Sequence, residues 1–551
     1  MGTHPEVRPD KNGKLVTRHV KDGRINTRLN NSPLSARSEY VSCINCGVSY
    51  ARATVHRCTI KELMIIPESA AVVIEACQKA GFKPVVVGGS VRDALLNKMN
   101  GNSALAFKDI DIEVYGVDEY DKLARVLSKS GHVNKAGASF GVLKVKVGKH
   151  DDVDVSLPRR DSKTGAGHRG FNVEIDPDID EVEAFGRRDF TINAIGYDPI
   201  TSELIDPYGG GQDLKDQVLR HTTAAFSEDP LRVLRGVQFA ARFGFDFADE
   251  TLAESYRIKD SFSEIAKERV WGEFEKILLR GVHISKAIDA LKDTGWMEHF
   301  PELASMEDIP QDVKWHPEGN VLNHLGMSAD RAAYLARNNR YGRLSDSETK
   351  VLVFAALVHD FGKHGNGTQI HYHDDGSVEK ITSIGHQTNG DEIISDFAER
   401  IGIPKSVVRP ALTLVQTHMD HIAVGDGQAP SSKAVRRLIR KLDDGFEESS
   451  LKNWTLLVNA DRGGRGTASS DFDKGFAWYE KSLELGNTDK PAKSIVNGAF
   501  LQKETGLAPG PVYKEIISAS NRAQDEEVFS DEAAAAKWVK EFIASQGIQN
   551  G

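Results

Sequence analysis

Two aspartates separated by one residue are the first residues whose types and spacing fit a chemical role. Asp109-Ile110-Asp111 opens the alternating segment 109–115, which predicts a strand whose alternate side chains lie on one face. Two neighbouring carboxylates repel unless they share divalent cations, and two such cations about 4 Å apart activate a hydroxyl and stabilise a leaving phosphate. Asp154, in the alternating segment 153–157, is the best candidate for a third acid. The alternative is an ordinary exposed strand face.

A glycine turn precedes these acids. The apolar run 84–87 predicts a strand and 91–98 predicts a helix, with the sequence GGSVRD (88–93) at their junction. Glycines at such a junction let backbone N–H groups approach a triphosphate, and the N-terminus of the helix favours its charge. The arginine of the turn would add a forked phosphate contact. The nucleotide-binding candidates here are Gly88, Gly89, Ser90, Arg92 and Asp93.

A carboxylate and a guanidinium spaced for base recognition follow in Glu228-Asp229-Pro230-Leu231-Arg232. Asp229 and Arg232 are three residues apart, so both lie on one side of a first helical turn, where Pro230 is well tolerated. A carboxylate accepts from the amino group of C or A and a guanidinium donates to the adjacent ring nitrogen, whereas U and G present the opposite pattern. The alternative is an N-capping aspartate with an i,i+3 salt bridge.

Together these motifs resemble the class II tRNA nucleotidyltransferases (CCA-adding enzymes) and bacterial poly(A) polymerases, within the superfamily that includes DNA polymerase beta. Five motifs occur in the family's order: GGSVRD (88–93), DIDIE (109–113), RRDFTINA (187–194), EDPLRVLR (228–235) and KERVWGEFEKIL (267–278). The resemblance implies that the third motif contacts sugar and triphosphate, with arginine forks on phosphate, and that the fourth replaces a template. The residues concerned are Arg187, Arg188, Asp189, Asn193, Asp229, Arg232 and Arg235. A helix N-terminus capped by Asp189 is the alternative for the third motif.

A histidine set in residues 316–461 resembles the HD phosphohydrolase superfamily, with the His-Asp pair at the end of an apolar segment. The resemblance implies a divalent metal held by His324, His359, Asp360 and Asp461. Imidazole and carboxylate ligands suit Ni, Mn, Co, Fe or Mg, with open positions for an activated water. His386 and His418 would assist a second metal or bind phosphate, and Lys363 would pair with a substrate phosphate. The expected reaction is hydrolysis of a phosphomonoester or a 2′,3′-cyclic phosphodiester.

The four cysteines of this long chain indicate a reducing compartment rather than a disulfide framework. Three of them combine with a histidine into the spacing C-x2-C-x9-H-x-C, formed by Cys43, Cys46, His56 and Cys58. Four potential zinc ligands so close in sequence suggest a zinc site, although the spacing matches no standard zinc knuckle. The alternative is free thiols in a disordered leader.

Two basic segments have two interpretations each. The segment 158–171, PRRDSKTGAGHRGF, occupies the position of the loop with which CCA-adding family members switch from C to A, or it is a surface hairpin. A basic cluster falls mostly on one face of the predicted helix 431–442, where it contacts the tRNA backbone or forms a solvated face. This cluster consists of Lys433, Arg436, Arg437, Arg440 and Lys441.

The elements that must position these residues form an α+β head, a nucleotidyltransferase fold with a small mixed sheet, followed by a mostly α-helical body that includes an HD domain. Strands are predicted at 84–87, 109–115, 140–147 and 153–157, and none beyond about Ile205. Helices are predicted at 67–80, 91–98, 229–243, 263–281, 284–294, 324–337, 347–360, 388–401, 405–419, 431–442, 450–460, 471–485, 510–523 and 531–545.

Five segments are expected along the chain. They are a basic N-terminal extension (1–62), disordered or small and zinc-binding; the nucleotidyltransferase head (63–205); a helical neck with the base-recognition motif (206–300); the HD domain (301–480); and a C-terminal helical tail (481–551).

The composition predicts a cytoplasmic protein without a membrane span. Of its 551 residues, 40% are hydrophobic and 27% charged, which is typical of a globular chain. No apolar run reaches the roughly 18 residues that a membrane helix needs, and the polar N-terminus lacks a signal peptide. The net charge of −10 does not favour RNA binding as a whole, so local basic patches must contact RNA.

The predicted function is addition of CCA to tRNA from CTP and ATP at a Mg²⁺ site, with an additional HD phosphohydrolase activity. A poly(A) polymerase, or a partial CC- or A-adding enzyme, shares every motif used here. A rival of another class is an RNA-binding head joined to an HD phosphohydrolase that does the chemistry.

Overall fold

The computed structural model describes residues 4–9, 15–21, 24–26, 40–54, 56–105, 107, 109–134, 141–149, 152–163, 171–425, 428–465, 474–486 and 490–548. The chain divides into two compact units. The first comprises Met1–Ile277 with Lys286–His299, and the second comprises Leu278–Ser285 with Phe300–Gly551.

A mixed eight-stranded sheet is the centre of the first unit. Its strand order is Arg57–Thr59, Glu203–Ile205, Gly196–Asp198, Lys83–Val87, Asp111–Tyr115, Asp152–Ser156, Val142–Lys146 and His132–Asn134. Asp111–Tyr115 and Asp152–Ser156 run parallel, which requires a crossover between them. The strand Lys83–Val87 buries Val85, Val86 and Val87 together, as expected of a central strand covered on both faces. The predicted head fold is confirmed.

Helices cover this sheet and continue into a neck. Those of the first unit are Glu68–Lys79, Gly89–Met99, Tyr120–Leu127, Glu181–Gly186, Gly210–Asp216, Leu231–Phe243, Asp249–Arg257 and Ile284–Asp293, with Lys267–Arg280 ending in the second unit. The neck helix Leu231–Phe243 approaches the RRDFTINA segment closely at Gly236. A Cβ there would lie 2.7 Å from the Phe190 ring, so only glycine allows this packing.

Strands also occur in places where the periodicity did not predict them. Backbone ladders join His4–Pro9, Leu15–Lys21 and Arg24–Asn26, and Tyr40–Ser42 pairs with Ser49–Ala51, so residues 40–51 do not form the disordered leader considered above. Short strands Val218–Leu219 and Asp246–Phe247 also pair. Arg159–Lys163 pairs with Phe171–Ile175, so the flanks of the segment 158–171 form a hairpin; its residues 164–170 lie outside the described residues.

The second unit is helical, as predicted. Its helices are Pro301–Ala304, Val321–Arg337, Asp346–Val358, His386–Asn389, Asp391–Ile401, Lys405–Thr417, Ser432–Leu442, Leu451–Gly463, Lys474–Glu484, Gly498–Thr505, Pro511–Asp525 and Glu532–Ser545. Ser345 and Glu348 form a capping box at the start of Asp346–Val358, which satisfies orphan backbone donors there. Val321–Arg337 packs against both Asp346–Val358 and Leu451–Gly463.

The expectation that strands stop near Ile205 is wrong. Gln369–Tyr372 and Val378–Thr382 form an antiparallel hairpin in the second unit. Most of its side chains are exposed or half-buried, so it lacks the buried alternation by which a strand is recognised in sequence. Gly376, at φ 83°, closes the turn. Among the described residues no helix is long and apolar enough to cross a membrane.

Candidate active sites

The turn at Gly88 lies beside the predicted carboxylates. The strand Lys83–Val87 ends at Gly88, whose φ of 76° is a left-handed value that favours glycine. A Cβ at Gly88 would lie 3.2 Å from Arg188 Nη1 and 3.7 Å from Asp111 Oδ2. Because Gly88 has no side chain, space remains between the Arg188 guanidinium and the Asp111 carboxylate. This space lies at the start of a helix, where backbone N–H groups are unpaired.

The three predicted acids emerge at neighbouring positions of the sheet. Asp154 and Asp111 are cross-strand partners. The strand begins at Asp111 rather than at Asp109, yet Asp109 and Asp111 are both exposed while Ile110 between them is buried. This alternation of exposure is that of a segment with Asp109 and Asp111 on one side and Ile110 on the other.

Electrostatic repulsion connects these acids. Although part of the Asp111 side chain is exposed, desolvation of its carboxyl by the surrounding protein raises its pKa above the ordinary value. The negative charges of Asp154 and Asp109 raise this pKa further, whereas Arg188 and Lys144 offset part of the effect. Lys144 Nζ lies 2.7 Å from Asp154 Oδ1. Hard carboxylate oxygens that repel one another are the ligand set that Mg²⁺ prefers, so the residues present fit this ion.

A further acid, Glu113, was not predicted to have a role. It lies fully buried two residues after Asp111, and its Oε2 accepts from Arg187 Nη2 at 2.8 Å and from Arg188 Nη2 at 3.5 Å. Tyr115 donates to its Oε1 at 2.7 Å. Glu113 thus holds both arginines of the RRDFTINA motif against the sheet. Its position in the alternation of DIDIE was a signal that sequence reasoning overlooked.

Arg92 is buried and fully engaged with the protein. Its Nε donates to Asp93 Oδ1 at 2.8 Å and its Nη1 to Asn193 Oδ1 at 2.6 Å. The guanidinium also lies 4.9 Å from the centroid of the Phe243 ring, a favourable cation–π arrangement. Arg92 therefore joins the glycine turn to the RRDFTINA motif and to the neck helix, instead of extending into open space for a phosphate.

Asp189 is the centre of a second buried network. Its Oδ1 accepts from the backbone N–H of Phe190 at 2.8 Å and from Asn193 Nδ2 at 2.9 Å, and its Oδ2 accepts from Arg235 Nε at 2.7 Å. Burial alone would raise the pKa of Asp189, but the Arg235 charge and these hydrogen bonds lower it to about 2. The carboxylate is ionised and fixed, and it does not cap a regular α-helix, because a short 3₁₀ turn follows.

The predicted base-reading pair does not form an internal salt bridge. Asp229 is paired with Arg269, at 3.2 Å from Nη1 to Oδ1 and 2.7 Å from Nη2 to Oδ2. Arg232 donates from Nη1 to the carbonyl of Ala225 and from Nη2 to that of Arg187, both at 2.8 Å. Each side chain is therefore held by its own partners. Arg269, from the motif KERVWGEFEKIL, was not predicted to take part.

The HD residues converge in the second unit. His324, His359, Asp360 and Asp461 are all almost completely buried. His324 Nε2 lies 3.3 Å from His359 Nε2, 3.1 Å from Asp461 Oδ1 and 3.7 Å from Asp360 Oδ2. Ligands at about 2.1 Å from one ion lie roughly 3–3.5 Å apart, so His324, His359 and Asp461 have the spacing of ligands to one divalent metal, and Asp360 lies next to them.

Two further histidines form a second donor set around the other oxygen of Asp360. His386 Nε2 lies 3.2 Å from Asp360 Oδ1 and 3.3 Å from His418 Nε2. Asp360 thus faces one donor set with Oδ2 and the other with Oδ1. The sequence predicted all six of these residues.

The tautomer of each histidine is fixed by its other ring nitrogen. Nδ1 lies 2.9 Å from the Ala356 carbonyl in His359, 2.7 Å from that of Ser383 in His386 and 2.5 Å from that of Val415 in His418. His324 Nδ1 lies 2.7 Å from Glu318 Oε1. Nδ1 therefore carries the proton and Nε2 keeps its lone pair for a metal. Glu318 was missed in the sequence because it lies outside the HD motif.

Two cations neutralise the buried acids of this centre. Lys363 Nζ lies 2.6 Å from Asp360 Oδ2 and donates to Gln311 at 2.7 Å, and Arg465 Nη2 lies 3.1 Å from Asp461 Oδ1. The pKa values of Asp360 and Asp461 are accordingly well below their ordinary value despite burial. A cavity of about 230 Å³ opens beside them, lined in part by Trp315, His386 and His418. This volume accommodates a phosphate group.

Most side chains of the basic cluster on the helix Ser432–Leu442 form ion pairs within the chain. Arg440 Nε lies 2.6 Å from Asp525 Oδ2 and Arg436 Nη2 lies 2.6 Å from Glu527 Oε1. Arg437 pairs with Glu526, and Lys441 lies 2.7 Å from Asp420. Most of the cluster therefore attaches the C-terminal helices and is neither a free RNA-binding patch nor a purely solvated face.

Family patterns match three parts of the chain in order. A "Poly A polymerase head domain" matches residues 85–220, a "Probable RNA and SrmB- binding site of polymerase A" residues 244–307, and an "HD domain" residues 321–443. The multifunctional CCA protein of Xanthomonas campestris pv. campestris is 32% identical over 70% of this chain and 86% of its own length. That of Pasteurella multocida is 32% identical over 77% and 93%. The chain belongs to the multifunctional CCA protein family.

Membership of the multifunctional CCA protein family makes the chain a nucleotidyltransferase with an HD domain, and both kinds of domain are dependent on divalent metals. The fold is also that of solved CCA-adding enzymes. The Bacillus stearothermophilus enzyme in complex with CTP matches with a TM-score of 0.55 and 19% identity over 87% of this chain and 98% of that one. The Thermotoga maritima enzyme complexed with tRNA matches with a TM-score of 0.52 and 18% identity over 89% and 99%.

Proposed function

We propose that the protein adds C, C and A to the 3′ end of tRNA, using CTP and ATP. The position of Gly88 between Asp111 and Arg188 carries this proposal, because it puts a turn suited to phosphate beside the carboxylates. Proteins with this fold include CCA-adding enzymes in complex with CTP, ATP and tRNA, and the curated relatives are multifunctional CCA proteins. These complexes support the same substrates here.

In the proposed reaction, the RNA 3′-hydroxyl oxygen bonds to the α-phosphorus of the nucleotide. The bond from that phosphorus to the bridging oxygen breaks, pyrophosphate leaves, and the hydroxyl proton passes to solvent. Asp109 and Asp111, assisted by Asp154, would hold two Mg²⁺ ions, which activate the hydroxyl and stabilise the leaving group when bound. The Gly88–Ser90 backbone and the arginines fixed by Glu113 would bind the triphosphate.

Base selection is assigned to Asp229 and Arg232. The bonds they make within the protein leave capacity for a base. Each Nη of Arg232 carries a second N–H, and Asp229 Oδ2, which accepts only from Arg269, has a second lone pair, whereas Oδ1 accepts from both Arg269 and the backbone N–H of Leu231. Arg269 holds Asp229, and two backbone carbonyls hold Arg232. Both side chains are therefore already ordered before the nucleotide binds. The pair therefore accepts the amino group and donates to the ring nitrogen of C or A, as the residue chemistry requires.

Incorporation on defined tRNA ends tests this function. Transcripts ending before CCA, after C and after CC are incubated with each nucleotide singly and with both. Addition limited to two C and one A is expected. Long A tails on generic RNA would identify a poly(A) polymerase, and addition stopping after C or confined to A would identify a partial enzyme. Asp111→Asn should abolish incorporation, whereas Asp118→Asn, an exposed acid of the same head, should not.

Unchanged incorporation by Asp111→Asn would remove Asp111 from the reaction. If the wild type incorporated no nucleotide on any of these ends but still hydrolysed phosphate esters, the head would only bind RNA and the HD domain alone would do the chemistry. The shared side of Asp109 and Asp111 and the fixed arginines oppose that alternative.

A second activity, hydrolysis of phosphomonoesters or 2′,3′-cyclic phosphodiesters, is proposed for the HD site because two donor sets share Asp360. His324, His359, Asp360 and Asp461 would hold one divalent ion (Ni, Mn, Co, Fe or Mg), and His386 and His418 a second or the phosphate. Such an ion supplies an activated water when bound. The water oxygen bonds to phosphorus, the ester P–O bond breaks, and the leaving oxygen takes up a proton.

RNA fragments ending in a 2′,3′-cyclic phosphate or a 3′-phosphate test this activity with each metal in turn. Release of phosphate or opening of the ring is expected for the wild type and for His364→Asn, an exposed histidine near the site. His359→Asn should abolish it while leaving nucleotide addition intact. Equal hydrolysis by His359→Asn would remove the HD site from the reaction.

A further inference from the structure

A compact cluster of cysteine and histidine side chains lies before the part of the chain that the family patterns match, which begins at residue 85. The ligand atoms of Cys43, Cys46, His56 and Cys58 all lie within 4.8 Å of one another. We infer that these four residues bind one structural Zn²⁺ ion. Three sulfur ligands and one imidazole in a closed set of four are the donors of a structural zinc site.

The local backbone is built to bring these donors together. A hairpin of Tyr40–Ser42 and Ser49–Ala51 carries the first two cysteines in its connection. Within it, the N–H of Cys43 donates to the Val48 carbonyl and that of Gly47 to the Cys43 carbonyl, both at 2.9 Å. Gly47 has a φ of 73°, the left-handed conformation that reverses the chain tightly. The turn therefore brings the sulfur atoms of Cys43 and Cys46 close together.

The remaining two donors are held by contacts outside the hairpin. The His56 ring stacks on Tyr50, with centroids 4.6 Å apart and planes 12° apart, and its Nε2 lies 3.4 Å from Cys46 Sγ. Cys58 belongs to the strand Arg57–Thr59 at the edge of the large sheet, and Asn45 Nδ2 donates to its sulfur at 3.0 Å. An amide donor to a thiolate is a typical outer-shell contact of a metal site.

A disulfide between Cys43 and Cys46 explains these contacts less well. A disulfide would involve only Cys43 and Cys46, and it would not account for the positions of His56 and Cys58 beside them. The fourth cysteine of the chain, Cys77, is buried in the helix Glu68–Lys79 and lies outside the cluster. It provides an internal control for every thiol measurement.

The zinc site would fasten the N-terminal hairpin to the nucleotidyltransferase head. The hairpin packs closely on two glycines of the head. A Cβ at Gly209 would lie 2.6 Å from Val41, and a Cβ at Gly211 would lie 2.9 Å from Ile44. This glycine segment begins the helix Gly210–Asp216, in which Asp213 Oδ2 accepts from Thr191 Oγ1 at 2.7 Å. The zinc site therefore supports, through packing, the segment that presents the RRDFTINA motif. Its role is structural and does not depend on the proposed reaction.

The metal content of the full chain tests this inference. His359→Asn is used as the background, so that the HD site contributes less metal, and zinc is measured by mass spectrometry after exhaustive dialysis. About one zinc per chain is expected, as is its loss with Cys46→Ser and its retention with Cys77→Ser. Replacement by Co²⁺ should give thiolate-to-metal absorption with tetrahedral visible bands. That signal is specific, because the HD donor sets contain no cysteine.

Alkylation of the wild-type protein supplies a readout that does not depend on folding of a variant. Cys46 is exposed, so as a free thiol it would react at once. With zinc bound, Cys43, Cys46 and Cys58 should be protected until a strong chelator is added, and Cys77 should stay protected afterwards. Three outcomes would each overturn the zinc site: prompt alkylation of Cys46 without chelator, a Cys43–Cys46 disulfide in protein purified without added oxidant, or cobalt binding without thiolate absorption.

Discussion

Arg187 donates from Nη2 to Glu113 Oε2 at 2.8 Å, and Glu113 is completely buried beneath it. The other carboxylate oxygen, Oε1, accepts from the Tyr115 hydroxyl at 2.7 Å, so both oxygens of Glu113 are held by neighbouring side chains. The charge that fixes Arg187 thus comes from the strand that carries Asp111, so under the proposed function one strand would both hold metal and position the arginines that bind phosphate.

Glu113→Gln is expected to weaken nucleotide binding more than the chemical step. A neutral amide holds Arg187 and Arg188 less firmly, and loss of a charged hydrogen bond of this kind changes binding by about 1.5–3 kcal/mol, which is roughly a 10- to 100-fold rise in KM. Steady-state kinetics with CTP measure this rise, and Glu119→Gln, at an exposed glutamate of the same head, is the control. A fall in kcat at unchanged KM would contradict this positioning role.

Arg269→Gln is expected to relax base selection. The bidentate pair fixes the direction of Asp229, and a well-placed contact of this type contributes about 1–3 kcal/mol of discrimination. The ratio of kcat/KM for CTP over UTP should therefore fall about 5- to 150-fold, with a smaller change in kcat/KM for CTP itself. Lys267→Gln, an exposed residue of the same helix, should leave the ratio unchanged. An unaltered ratio in Arg269→Gln would exclude the orienting role.

The sequence predicted candidate residues for both sites but not the contacts that hold them. Period-two alternation and a glycine turn indicated Asp111 and Gly88, and the resemblance to the HD superfamily indicated His359 and Asp360. Arg187 and Glu113 are separated by 74 residues and Arg269 and Asp229 by 40. Such partners are brought together by tertiary packing, for which no spacing rule exists. Arg92 shows the same limit, because its burial against Phe243 assigns its guanidinium to the protein.

The fold was predicted to a similar extent and for the same reason. Buried or amphipathic periodicity located the main strands of the head and the long helices of the body. The hairpin formed by Gln369–Tyr372 and Val378–Thr382 has little buried surface, so no apolar pattern marks it in the sequence. The short helices Gly210–Asp216 and Asp249–Arg257 were also missed, since a helix of so few turns depends on tertiary contacts more than on its own periodicity.

Asp189→Asn is expected to destabilise the first unit in a pH-dependent way. The pKa of Asp189 is about 2 in the folded protein and about 3.9 in an unfolded chain. Since the folded value is the lower one, the stabilisation is complete above about pH 4 and is lost as the pH falls toward 2. The difference corresponds to about 2.5 kcal/mol.

Urea unfolding of the wild type and Asp189→Asn at several pH values measures this effect. The difference in unfolding free energy should be about 3 kcal/mol at pH 7, because the variant leaves Arg235 without its buried partner, and should shrink between about pH 4 and 2. The exposed Asp216→Asn should show no such trend. A difference that stays constant down to pH 2 would mean that Asp189 is not held as a carboxylate.

Glu318→Gln is expected to lower metal affinity at the HD site while leaving its ligands in place. Glu318 Oε1 lies 2.7 Å from His324 Nδ1 and 2.9 Å from His316 Nδ1, and these contacts bring the pKa of its carboxyl to about 2 although burial opposes this. A carboxylate on the far nitrogen of a ligand histidine orients the ring and makes it more basic, and its loss weakens metal binding about 10- to 100-fold. Calorimetric titration with Mn²⁺ or Ni²⁺ measures the change, with the exposed Glu392→Gln as control. Because the head carries its own acids, nucleotide addition in Mg²⁺ should be unaffected; unchanged affinity in Glu318→Gln would show that His324 is oriented without it.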